Sequence, residues 1–153
     1  MRRLILIALP LALTAVACDN GSSSSTTPTT TTPQTFATEI FTGTVPVPVN
    51  GVLQSVFNPF TVGQGGGQIS VTLTSAVETL PGGTLLTTVT VGLAIGTLSG
   101  TTCTIIPNAS TPAQAGSVPQ LSGSLAAGTY CVQLSDVTNQ LGPVAYAVAV
   151  VHP

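Results

Sequence analysis

After Phe36, apolar side chains return at every second position in one run after another, and this spacing restricts the chain to strands. "QISVTLTSAV" sets Ile69, Val71 and Leu73 against Ser70, Thr72 and Thr74. "TVTVGLAIG" sets Val89, Val91, Leu93 and Ile95 against threonines and small residues. "TYCVQLS" puts Tyr130, Val132 and Leu134 on one face, and "VAYAVAVV" opposes Val144, Tyr146, Val148 and Val150 to alanines. A period of two marks half-buried strands, which β-branched Val, Ile and Thr suit. No stretch carries ten residues of capped amphipathic helix.

Turn residues separate the runs: "VPVPVNG", "GQGGGQ", "LPGG", "IPNAS" and "LAAGT". "GQGGGQ" lacks the G-K-[ST] ending and following helix of a phosphate cradle and reads as a hairpin connection. About eight short strands are expected, near residues 38–45, 55–62, 68–75, 86–95, 102–106, 120–125, 129–135 and 144–151. Such a set folds as an antiparallel β-sandwich. Alternation assigns faces and leaves the strand order open.

Charge narrows the function. Of 153 residues only six are charged, and both cations, Arg2 and Arg3, precede the first apolar run. Nucleic acid needs several cations to neutralise phosphates, so it is excluded as a partner, and an anionic membrane surface finds no basic patch. The acids are Asp19, Glu39, Glu78 and Asp136, and the sole potential cation beyond Arg3 is His152. Stability must come from apolar burial, backbone hydrogen bonds and a crosslink.

The N-terminus carries its own signal. Met1-Arg2-Arg3 precedes "LILIALPLALTAVA", an apolar run shorter than the roughly 20 residues a bilayer span needs and interrupted by Pro10. It reads as an export signal. Its end, Ala15-Val16-Ala17-Cys18, resembles the lipobox of bacterial lipoproteins, with alanine in place of the preferred leucine at Ala15. The resemblance implies cleavage before Cys18, diacylglycerol on its thiol and membrane attachment through that lipid. The alternative is an ordinary signal peptide cleaved after Ala15-Val16-Ala17. Each buried acyl CH₂ contributes about 0.8 kcal/mol, so two or three chains hold firmly. Asp19 resembles an inner-membrane retention signal and weakly favours that membrane over the outer one. The expected organisation is a signal peptide over 1–17, lipidated Cys18 with a Ser/Thr/Pro tether over 18–35, and a folded domain over 36–153. The tether has almost no apolar side chain with which to offset ordering entropy.

"FNPFTV", "QISVTLTS", "LSGSLAAGTYCVQLSDV" and "VAYAVAVV", in that order, resemble the pre-peptidase C-terminal type of domain over roughly residues 40–151. The resemblance implies a jelly-roll-like sandwich that is non-catalytic and accompanies secreted enzymes, with roles in secretion, adhesion or substrate contact. No enzymatic domain is expected beside it within these residues. The partner classes left are an envelope protein, a glycan or a peptide.

With Cys18 assigned to lipid, Cys103 and Cys131 form an even pair in a chain bound for an oxidising compartment. A disulfide is expected, outside the main core layer because Cys131 alternates with Tyr130 and Val132; two free buried thiols are the alternative. No C-x-x-C spacing or histidine cluster suggests metal or redox chemistry, and no cofactor is expected. "VVHP" reads as a solvated strand end, too loosely held for His152 to serve in a triad. Glu39, Glu78 and Asp136 are scattered and read as solvated, with Asp136-Val137-Thr138-Asn139 as a turn. Asn108-Ala109-Ser110 matches a glycosylation acceptor but reads as an ordinary loop. The phenylalanines are expected inside and Tyr130 and Tyr146 on the core face, which leaves no aromatic platform for sugars.

Overall fold

The computed structural model of the protein describes residues 33–153, so Cys18, the expected signal and the expected tether up to residue 32 lie outside the described residues. The fold is a β-sandwich of two antiparallel sheets. Its strands are β1 (Ala37–Val45), β2 (Ser55–Val62), β3 (Gly67–Thr79), β4 (Leu85–Leu86), β5 (Val91–Ser99), β6 (Thr102–Ala113), β7 (Leu121–Leu125), β8 (Gly128–Ser135) and β9 (Val144–His152). One sheet runs β1-β9-β3, with β4 and β7 sharing the far edge of β3; the other runs β2-β8-β5-β6.

The pairing is nested. Leaving out two-residue β4, the first strand pairs the last (β1 with β9), the second pairs the next to last (β2 with β8), β3 pairs β7, and β5 pairs β6 at the centre. This is one long hairpin rolled up on itself, the jelly roll. The β5–β6 turn at Gly100, with φ of 59°, is its tip.

Inward rows from both sheets make the core. Ile69, Val71, Leu73, Val144, Val148 and Val150 face Val91, Leu93, Ile95, Val132 and Leu134, all buried. Each such side chain contributes about 1.5–3 kcal/mol on burial. Tyr130 and Tyr146 are buried as expected and satisfied: Tyr130 Oη donates to Ala126 O at 3.1 Å, and Tyr146 Oη accepts from Asn58 Nδ2 at 2.9 Å.

Several expectations need correction. The strand expected over 86–95 is two pieces in different sheets, β4 and β5. "IPNAS" is not a turn between strands but a bulge within β6, where Ile106 to Ala109 stand opposite Ile95 alone and Asn108 takes φ of 63°. "GQGGGQ" is no hairpin, because β2 and β3 belong to different sheets. Gly65, Gly66 and Gly67, at φ of 93°, 63° and 151°, carry the chain across in a left-handed path that side chains rarely adopt. Of the phenylalanines only Phe60 is fully buried; Phe41 packs partly against the core, and Phe36 and Phe57 face outward.

Candidate functional site

The cysteines come together as expected. Cys103 and Cys131 lie at disulfide distance, with Cα atoms 6.0 Å apart. They sit on β6 and β8, the two neighbours of β5, so the bridge crosses β5 on its outer face. Gly96 is the residue beneath. A Cβ there would stand 2.8 Å from Cys103 Sγ and 2.6 Å from Thr104 O, so only glycine lets the two strands close over it. Cys131 is fully buried although it stands outside the core cluster between the sheets.

His152 departs from the solvated reading. Inward positions on β9 run Val144, Tyr146, Val148, Val150 and then His152, which is only 5% exposed. Its Nε2 lies 2.9 Å from Glu39 Oε1, its Nδ1 lies 3.1 Å from Pro153 O, and its ring packs on Phe60 at 5.5 Å. A carboxylate and an imidazole therefore meet at one end of the sandwich. The second ring nitrogen faces a carbonyl of the chain itself rather than a hydroxyl.

Glu78 and Asp136 also depart from it, being 2% and 3% exposed. An extra residue in β3, around Thr74, shifts the register between Leu73 and Ser75. Before it, the inward residues are Ile69, Val71 and Leu73; after it, they are Ala76 and Glu78. The bulge thus turns Glu78 inward, where its Oε1 accepts from the backbone N–H of Leu141 and, at 2.8 Å, of Gly142. Asp136 starts the expected turn, with Oδ1 accepting from Asn139 N at 3.3 Å, and its own N–H donates to Gln54 O at 3.1 Å. Asp136 Oδ2 and both polar atoms of Gln140 are buried without a hydrogen-bond partner among the described residues. The acids do not converge: Glu39 is at the end where β1 begins, Glu78 and Asp136 at the other. Among the described residues no three His, Cys, Asp or Glu side chains are placed to hold a metal ion.

Glu78 and Asp136 tie down loops at the end of the sandwich away from Ala37, roughly 30 Å along the nine residues of β1 at about 3.4 Å each. Those loops carry apolar tips. Val47, Val49, Val52 and Leu53 are exposed on the β1–β2 connection, Leu85 and Leu86 on β4, and Leu141 on the β8–β9 connection. Val49 and Val52 flank a tight Asn50-Gly51 turn, both central residues at positive φ. With Glu78 and Asp136 buried, this end shows no exposed charge among the described residues. An uncharged surface with apolar tips suits contact with another molecule. No residue pattern announces it, because apolar residues in a Pro/Gly-rich stretch carry no period.

Comparison with protein-family models, with curated proteins and with solved structures finds no match.

Leu141 and Leu85 are 73% and 64% exposed, so Leu141→Ser with Leu85→Ser is expected to change unfolding free energy by no more than about 0.5 kcal/mol. The same variant is expected to bind less of an apolar dye such as ANS. A large loss of stability in urea, or unchanged dye binding, would show that these tips are structural rather than available.

Proposed function

We propose that the protein is a cell-envelope lipoprotein, acylated at Cys18, whose jelly-roll domain is a non-catalytic interaction module. The observation that carries this reading is the loop end just described. Its apolar, uncharged tips lie at the end of the domain opposite to the one where the chain passes from the Ser/Thr/Pro segment into β1. The absence of Lys and Arg after Arg3 fits a partner that is neither nucleic acid nor an anionic lipid surface. A glycan partner is less well served, since the exposed aromatics Phe36 and Phe57 stand near opposite ends of the sandwich.

The anchor is tested by Cys18→Ser. The expected result is loss of the acyl mass and release of the protein from the membrane fraction. A variant that partitions with membranes as before, at unchanged mass apart from the substitution, would refute the reading.

A further inference from the structure

One side of the sandwich is open. The β6 bulge leaves the sheet between Ile105 and Ser110, opposite β7, and between them is a cavity of about 190 Å³. Its floor is Ile69 and Ile95, core residues that are 3% and 4% exposed, and its walls include Ile106 and Leu121. An apolar cavity of roughly 150 Å³ suffices to take up benzene, so this one has room for a single leucine-sized or aromatic group.

Gly123 gives the cavity its cause. On β7 the inward row is Leu121, Gly123 and Leu125, and the missing middle side chain leaves the space. A Cβ at Gly123 would meet nothing within 4 Å, and Gly123 is not among the residues at positive φ. Neither crowding nor backbone strain within the chain calls for glycine there. A strand glycine without internal cause marks a place where another backbone or a ligand comes close.

The neighbouring strand edge says which. All five residues of β7 line the cavity, outward Ser122 and Ser124 as well as the inward row, so it runs along the strand's edge. β7 pairs only with β3 among the described residues, which leaves its other edge free of strand partners. No charged side chain lines the site.

From this we infer that the β7 edge is a peptide-binding site: an extended, uncharged segment adds to β7 as a strand and places one apolar side chain in the cavity over Ile69 and Ile95. Main-chain hydrogen bonds supply affinity and the cavity supplies selectivity. The site is independent of the loop end and of lipid attachment.

The test uses the full chain carrying Cys18→Ser, with labelled isoleucine methyls and backbone amides followed by NMR. The probes are the capped pentapeptides acetyl-TTLTT-amide and acetyl-TTATT-amide, and toluene. The leucine peptide is expected to shift the Ile69, Ile95 and Ile106 methyls and the β7 amides saturably, with a midpoint in the millimolar range or below. The alanine peptide should bind at least about tenfold more weakly, by the loss of its buried side chain. Gly123→Leu, which fills free space, should keep the fold and abolish the response. Equal response in Gly123→Leu, no response to the leucine peptide at 10 mM or so, or toluene alone reaching the cavity would each overturn the proposal. Acylation of Cys18 does not enter this experiment, so its failure leaves the anchor reading standing, and the reverse holds.

Discussion

Gly142→Ala is expected to destabilise the domain by about 4 kcal/mol or more, a large share of the roughly 5–15 kcal/mol that holds an ordinary domain folded. A Cβ at this position would sit 1.8 Å from Thr79 O and 2.7 Å from Thr79 C. Both atoms are backbone, so no rotamer change relieves the clash. Either β3 or the β8–β9 connection must move, and both are held. Thr79 N donates to Pro143 O at 3.0 Å, and Glu78 Oε1 takes the Leu141 and Gly142 amides from the same segment. Displacing the segment strips donors from a carboxyl that is 2% exposed, and a buried polar group without partners costs about 1–3 kcal/mol, more if charged. Gly142 does not have positive φ, so steric room rather than backbone freedom is at stake. Gly142→Ser should therefore fare no better. Urea unfolding measures the effect, and a variant within about 1 kcal/mol of the parent would show that the contact is not as close as described.

Removing the crosslink with Cys103→Ala and Cys131→Ala together is expected to cost about 3–4 kcal/mol, and to lower Tm by roughly 10–20 °C. The cysteines are 28 positions apart, and the figure is the entropy an open loop of that length regains on unfolding. Reductant added to the parent should reproduce most of the loss, because the effect resides in the bond and not in the side-chain volume. A parent protein indifferent to reductant would mean that the thiols are not joined, or that β5 and its neighbours are held by packing alone.

The sequence was legible where one rule governed a whole strand. Alternation put Tyr130, Val132 and Leu134 on the core face and Cys131 on the other, and the structure agrees. Continued by one step along β9, the same rule reaches His152, so its burial was present in the spacing and only its terminal position argued against it. Glu78 was different. The residues before Thr74 predict an outward Glu78, and nothing in the local composition announces the extra residue that reverses the faces. The β6 bulge was hidden in the same way: Pro107 and Asn108 read as an end of strand rather than as a step within one. Strand order was not legible at all, because period two says which way a side chain points and not which strand lies alongside.

The nested pairing sets the order in which the domain can be completed. Synthesis delivers Ala37 long before His152, yet the two are opposite each other in the sheet. Apart from the short β3–β4 hairpin, only β5–β6 closes from neighbouring residues, and each further nested pair spans a longer stretch of chain than the one before. Non-local pairing of this kind is slow to form. Until β9 arrives, β1 waits without its partner, an extended segment rich in Thr, Val, Ile and Phe, of the kind that seeks other strands. Its one charge is Glu39. Before it meets His152, that carboxylate is the one charge on β1 that disfavours pairing with another chain.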